Sequence, residues 1–401
     1  MEEKTAGQKL MEELSLRLTN GTIRLSDEEL TRADAFCEEY KAFLDQGKTE
    51  RECVDFAVGL LSKKGFKKFV PGTVYRAGEK VYCSNRGKAV LAAVIGTEPI
   101  EKGVRIAAAH IDSPRIDLKQ KPLYEDKELA LFKTHYYGGI KKYQWVSIPL
   151  ALHGVVIRKD GSSVTVKIGE DQNDPVFCIT DLLPHLSTEQ YKRTPAELIK
   201  GEELNLLIGS RCFRDEKAAE KVKLNILKLL KEKYGLIEAD FLSAELEIVP
   251  AFKAKDVGFD RSMIGAYGHD DRVCAYPALM AAIDCAMPRF TTVTVLTDKE
   301  EIGSVGNTGL NSSYLSYFIA DLASGYGVPE RTVLSASKCL SADVNAAFDP
   351  TFPDVVEKLN GAYLNYGVVL TKYTGSRGKA VRRTPPRNLW EKSVSCLTTG
   401  I

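Results

Sequence analysis

The chain has 401 residues, 44% hydrophobic and 27% charged, enough to bury a large core and to suggest two or three domains. Lysine plus arginine total 55 against 54 acids, so no overall field attracts a nucleic-acid backbone or an anionic membrane, and neither partner is expected. The polar start and the lack of a long apolar run make the cytoplasm the expected address, and nine scattered cysteines without a Cys-x-x-Cys pair read as reduced core residues.

In chain order, Ser26 with Glu29, and Thr49 with Glu52, match the capping-box spacing and predict the starts of two helices. From Pro71 the pattern changes to short extended pieces punctuated by glycine, with strands expected at Lys80–Ser84, Ala89–Ile95 and Val104–Ala109. Between about Lys119 and Ala254 the texture predicts a separate β-rich unit. It contains a hairpin of Ala151–Arg158 and Ser163–Ile168 around an Asp160-Gly161 turn, and an amphipathic helix at Glu220–Tyr234. After Val257 the expected order is helix (Asp271–Met287), strand (Thr292–Leu296), helix (Ser312–Gly325) and strand (Thr332–Leu340), which suits an α/β layer with crossovers.

Four places carry candidate chemistry. In Ala109-His110-Ile111-Asp112, His110 and Asp112 stand two apart at the end of an expected strand, so both side chains leave one face. That suits a metal-binding imidazole and a carboxylate that fixes its tautomer, although a lone His-x-Asp is more often a turn histidine. In Gly268-His269-Asp270-Asp271 two acids precede a helical run; capping is the favoured reading for Asp271, whereas Asp270 can bridge two cations. Glu300 and Glu301 follow the apolar Phe290–Leu296 segment, and Asp343 follows another. Each alone reads as a solvated turn charge, but one histidine and four acids, each after a separate apolar segment, form a zinc-compatible set.

The strings AAHIDSPRIDLK, GHDDRVCA, DKEEIGS and SADVNAAFDP resemble the signatures of the aspartyl aminopeptidase family of two-zinc exopeptidases, over about residue 10 to Lys379. The resemblance implies a zinc-exopeptidase-like α/β catalytic domain (residues 1–118 and 255–379), an inserted β-rich second domain (119–254), and assembly into a homo-oligomeric dodecamer. By position it implies that His110 and Asp343 hold one zinc, Glu301 the other, and Asp270 both. Glu300 is then the base, Asp112 supports His110, and His185 is the insert-domain histidine that reaches a neighbouring subunit's site.

The chain departs from that pattern in two places. The family closes its site with a histidine near the carboxyl terminus, and none of the five histidines here (His110, His135, His153, His185, His269) fills that position. After Lys379 the resemblance stops, and residues 380–401 read as an atypical, poorly ordered tail, for which a truncation or frame change is the expected origin. Histidines that accompany acidic specificity after the Asp343 position are replaced by Val344-Asn345-Ala346, so acidic and neutral amino-terminal residues both stay open as substrates. Lys372 is the candidate partner for a substrate carboxylate, with an exposed structural lysine as its alternative. The competing functions are another two-zinc amidase, such as a carboxypeptidase or deacylase, and a non-catalytic assembly subunit.

Overall fold

The architecture is that of a computed structural model describing residues 4–371; Lys372 and the tail from Ala380 lie outside the described residues. Helices α1 (Ala6–Leu14), α2 (Gly21–Arg24), α3 (Asp27–Gln46) and α4 (Glu50–Lys63) come first. Strands β1 (Lys67–Lys68), β2 (Lys80–Asn85), β3 (Ala89–Val94) and β4 (Arg105–His110) follow. Next are β5 (Arg115–Asp126), β6 (Leu129–Tyr137), β7 (Leu150–Ile157), β8 (Ser163–Ile168), β9 (Cys178–Ile179), α5 (Thr188–Tyr191), β10 (Leu206–Gly209), α6 (Lys221–Tyr234) and β11 (Ala244–Pro250). The remainder is β12 (Lys255–Val257), β13 (Met263–Gly265), α7 (His269–Asp284), β14 (Thr292–Thr297), α8 (Tyr314–Ser324), α9 (Glu330–Ala336) and β15 (Lys338–Ser341).

The expected helix starts are present. Glu29 N–H donates to Ser26 Oγ while Ser26 N–H donates to Glu29, and Thr49 and Glu52 form the same reciprocal box at α4. A six-stranded sheet has the order β1-β2-β3-β14-β4-β15, with β14, β4 and β15 mutually parallel and β3 antiparallel to β14. Its central strand β3, Ala-Val-Leu-Ala-Ala-Val, is buried on both faces. Val90, Ala92 and Val94 pack with α4 and α7, while Leu91 and Ala93 pack with α8 and α9, so strand alternation divides one segment between two cores.

A seven-stranded sheet, β8-β7-β11-β5-β6-β10-β9, is built wholly from residues 115–250 and has its own core around Leu150, Ile116, Ile248 and Leu206. The expected β7–β8 hairpin pairs Ile157 with Ser163, and Gly161 at φ +83 supplies the left-handed turn position. These elements fall within one compact unit, residues 39–344; a second unit comprises the described parts of 1–38 and 345–371, where Ala347 bridges Ala362.

Two expectations fail. Thr332–Leu340 was read as one strand, but its first part is α9 and only Lys338–Ser341 is extended. Pro329 occupies the helix N-cap and Val333 is the single buried residue of that helix, so a one-sided packing demand outweighs the β-branched Thr332-Val333 pair. The cysteines are not uniformly core: all eight among the described residues are free, yet Cys53 alone is buried and Cys339 is exposed.

A buried ion cluster fastens the α4 region to the second sheet. His153, fully buried on β7, faces Glu52 through Nδ1 at 2.9 Å and Glu170 through Nε2 at 3.2 Å. With an acid at both ring nitrogens, imidazolium is the form that satisfies them. Lys48 lies 2.7 Å from Glu170 and also donates to the Pro250 and Phe252 carbonyls, and Lys253 lies 2.9 Å from the other Glu170 oxygen. Burial would raise the Glu170 pKa, but hydrogen bonds from His153, Lys48 and Lys253 outweigh it and hold it at about 2. A carboxyl depressed in the folded state adds stability above its unfolded pKa and loses it as pH falls toward the folded value. The urea midpoint of the wild-type chain is therefore expected to fall between about pH 5 and pH 2, and Glu170→Gln to lose stability at pH 7 while flattening that acid slope.

Candidate metal centre

Three parallel strands end on one edge of the six-stranded sheet. Thr297 of β14 pairs with His110 of β4, and Ser341 of β15 pairs with Ala108, so the segments carrying Glu300–Glu301, His110 and Asp343 leave that edge side by side. This is the carboxyl edge where open α/β sheets keep their ligands. The start of α7 brings the fourth segment. Asp270 and Asp271, near the start of α7, both have non-helical backbone angles, so the regular helix begins only after them.

His110 is 3% exposed, and its Nδ1 lies 3.0 Å from the Asp112 carbonyl and 3.2 Å from Asp112 Oδ1. With its proton on Nδ1, Nε2 is free to act as a donor atom; it faces Asp270 Oδ1 at 3.2 Å and Glu300 and Asp343 oxygens each at 3.9 Å. Asp112, fully buried, also accepts from the Glu300 N–H at 3.1 Å, the Glu301 N–H at 3.2 Å and the Tyr137 hydroxyl at 2.8 Å. Ser113 Oγ donates to the Asp270 carbonyl at 2.6 Å, which ties that fourth segment to the β4 end.

The predicted set therefore converges, with one addition. His110, Asp270 and Glu301 form one group and His110, Asp271 and Asp343 another, with the ligand atoms of each within 4.8 Å of one another. Asp271 does not cap α7: it makes no capping hydrogen bond, it is fully buried, and neither carboxylate oxygen has a hydrogen-bond partner among the described residues. Its capping role is thus overturned: the regular helix begins at the next residue, but the Asp271 oxygens lie with His110 and Asp343 and meet no backbone amide. The adjacent Asp-Asp pair was the only sign of this in the sequence. His185 lies on an exposed turn, Pro184–Leu186, outside both groups.

The donor chemistry fits zinc, for which imidazole nitrogen and carboxylate oxygen are ordinary ligands. The electrostatics call for a cation. Burial, and then the neighbouring Asp270, push Glu301 up to about 7; burial, and then repulsion from Asp343 and Asp270, push Asp271 up to about 6. Burial and nearby acids also raise Glu300 and Asp343. In contrast, hydrogen bonds to Asp112 and Asp270 overcome burial and raise His110 to about 11, so both ring nitrogens carry protons until a cation takes the place of the one on Nε2. Glu301 Oε1 joins both Asp271 oxygens as a buried acceptor without a partner. Such orphaned oxygens cost free energy unless an ion or water meets them.

The family model described as aminopeptidase I zinc metalloprotease (M18) matches residues 43–385. The chain belongs to the M18 family. It is a metal-dependent aminopeptidase, and zinc is the family's metal. A relative named "Probable M18 family aminopeptidase 1" from Clostridium acetobutylicum is 50% identical over 369 residues, covering 90% of this chain and 79% of the relative. The crystal structure of an M18 aminopeptidase from Thermotoga maritima superposes with a TM-score of 0.90 at 41% identity, covering 96% of this chain and 85% of the other. A dodecameric aminopeptidase from S. cerevisiae shares the fold at 23% identity and a TM-score of 0.64, covering 81% of this chain and 75% of the other.

One backbone position controls access to Glu301. Gly138 has φ +71, and a Cβ built there would stand 3.1 Å from Glu301 Cβ and 3.3 Å from Oε2. Gly138→Ala in this M18 enzyme is expected to weaken zinc binding about tenfold, measured by competition with a chromophoric chelator. An unchanged affinity would show that Glu301 yields without loss.

Proposed function

We propose that this M18 aminopeptidase removes acidic or neutral amino-terminal residues from peptides at a two-zinc centre. His110 and Asp343 would hold one ion and Glu301 the other, with Asp270 placed to serve both. The observation that carries the reading is the convergence of one imidazole and several mutually repelling, partly buried carboxylates on one sheet edge. When bound there, the two ions supply Lewis-acid polarisation of the scissile carbonyl and lower the pKa of a water.

The protein's own residues account for the other steps. Asp112 holds His110 with its proton on Nδ1, so that Nε2 faces the ligand cluster. Glu300, half-exposed beside the cluster, accepts the proton of the attacking water and returns it to the departing amine. Its backbone N–H on Asp112 Oδ1 fixes that position. Asp271 adds negative charge beneath the centre that favours cation retention.

The sheet of residues 115–250 serves as the inserted domain between the two halves of the catalytic domain. In an assembled homo-oligomer, which the fold shared with the dodecameric S. cerevisiae structure supports, His185 from this domain contacts a neighbouring subunit's substrate. Its exposure leaves it accessible for such a contact. The cytoplasm remains the proposed location, and no helix among the described residues is long and apolar enough to cross a membrane.

Glu300→Gln is expected to lower kcat by 10²- to 10⁴-fold while leaving zinc content per subunit unchanged, read by elemental analysis beside turnover. Loss of zinc in parallel with activity would instead make Glu300 a ligand. Acetylating the substrate's amino group is expected to abolish turnover; retained turnover on blocked peptides would favour a deacylase or carboxypeptidase.

A further inference from the structure

The metal centre receives a side chain from the second sheet. Tyr137 is the last residue of β6, 8% exposed, and its hydroxyl donates at 2.8 Å to Asp112 Oδ2. That carboxylate's other partners are His110 and the backbone N–H groups of Glu300 and Glu301. Tyr137 is therefore the one contributor to the Asp112 shell, among the described hydrogen bonds, that comes from neither the β4 end nor the Glu300–Glu301 turn.

The ring is itself held. The Arg115 guanidinium lies 4.0 Å from its centroid, and Arg115 is gripped by Asp117 at 2.8 Å, Glu247 at 3.1 Å and Glu50 at 3.3 Å. Glu50 and Glu247 are themselves buried, so this clamp spans α4, β5 and β11 and ends on the face of one tyrosine. A carboxylate rotates about its last side-chain bond with a broad, two-fold preference, so two backbone amides and an imidazole alone leave its tilt loosely defined. A hydroxyl on a ring fixed from behind defines it.

We infer that Tyr137 is a positioning residue for the zinc centre: by donating to Asp112 Oδ2 it sets the carboxylate that orients His110 and anchors the Glu300–Glu301 turn. The inference rests on the two-zinc reading. It makes the second sheet part of the site's own geometry, since β6 delivers the hydroxyl and β5 with β11 hold the ring. The adjacent Tyr136, 42% exposed, has no such contact and serves as the control position.

Tyr137→Phe keeps the ring and its stack on Arg115 and removes the hydroxyl alone. The test measures zinc affinity by chelator competition, kcat and KM on a dipeptide with a free amino group, and the melting temperature of the zinc-free protein. These are read for Tyr137→Phe, Asp112→Asn, the double variant and Tyr136→Phe. Expected are roughly tenfold weaker zinc binding and a similar fall in kcat with KM nearly unchanged for Tyr137→Phe, as loss of an outer-shell partner gives. The zinc-free melting temperature of Tyr137→Phe should fall modestly, as loss of one hydrogen bond to a buried charge gives, Tyr136→Phe should match wild type, and the Tyr137→Phe effect on zinc affinity and kcat should vanish in the Asp112→Asn background. Wild-type zinc affinity in Tyr137→Phe, or an equal loss with Asp112 already changed, overturns the inference. Should Tyr137→Phe fail to fold, Arg115→Lys, which keeps the charge but not the planar stack, is expected to give a smaller loss that also disappears with Asp112→Asn; an undiminished loss there overturns it equally. Wild-type protein that binds no zinc refutes the metal centre itself, an outcome distinct from either.

Discussion

The centre depends on one buried carboxylate whose two oxygens meet four donors. Asp112 takes the His110 imidazole, the Glu300 and Glu301 amides and the Tyr137 hydroxyl, and so joins the end of β4, the turn after β14 and the end of β6. Burial alone would raise its pKa, but His110 and Tyr137 reverse the shift and keep it ionised. From that follow the tautomer of His110, the direction of its free nitrogen, and the position of the acid pair. A fully buried charge is tolerable here because each of its oxygens is satisfied.

The acids around it are in the opposite condition. Asp271 and Glu301 keep buried oxygens without partners, and every resolved shift among Asp271, Glu300, Glu301 and Asp343 is upward. Elsewhere in the same unit, the Lys48–His153–Glu170 cluster shows what a structural ion network looks like. There the cations are supplied by the chain, and Glu170 is depressed rather than raised. The contrast separates acids that a metal ion would neutralise from a network whose cations the chain supplies, and local violations of polar satisfaction concentrate where function requires them. Cation binding to the folded chain then stabilises it by mass action.

Much of the fold was legible because its signals are local. The capping boxes at Ser26–Glu29 and Thr49–Glu52, the Asp160-Gly161 turn and the short glycine-punctuated pieces that form β2 to β4 each depend on residues a few positions apart. The failures share a cause. Thr332–Val333 looks extended by propensity but folds into α9 because Val333 finds an apolar partner layer; Asp271 looks like a cap, but its carboxylate lies with His110 and Asp343 and meets no amide of α7. In both, a contact distant in sequence outweighs a local preference.

The sequence by itself determined the donor types and their placement at element ends: an imidazole and acids after strands at His110, Glu301 and Asp343, with Glu300 beside them, and Asp270 at a helix start, since those depend on side-chain chemistry and local periodicity. Only the tertiary structure decided which atoms meet. Parallel pairing of β14, β4 and β15 aligned their ends, a non-helical stretch turned Asp271 inward, and a strand from another sheet set Tyr137 on Asp112. No spacing rule encodes those contacts, because they join residues from 25 positions apart, as in Tyr137 and Asp112, to 233, as in Ser341 and Ala108, through packing that the whole unit settles at once.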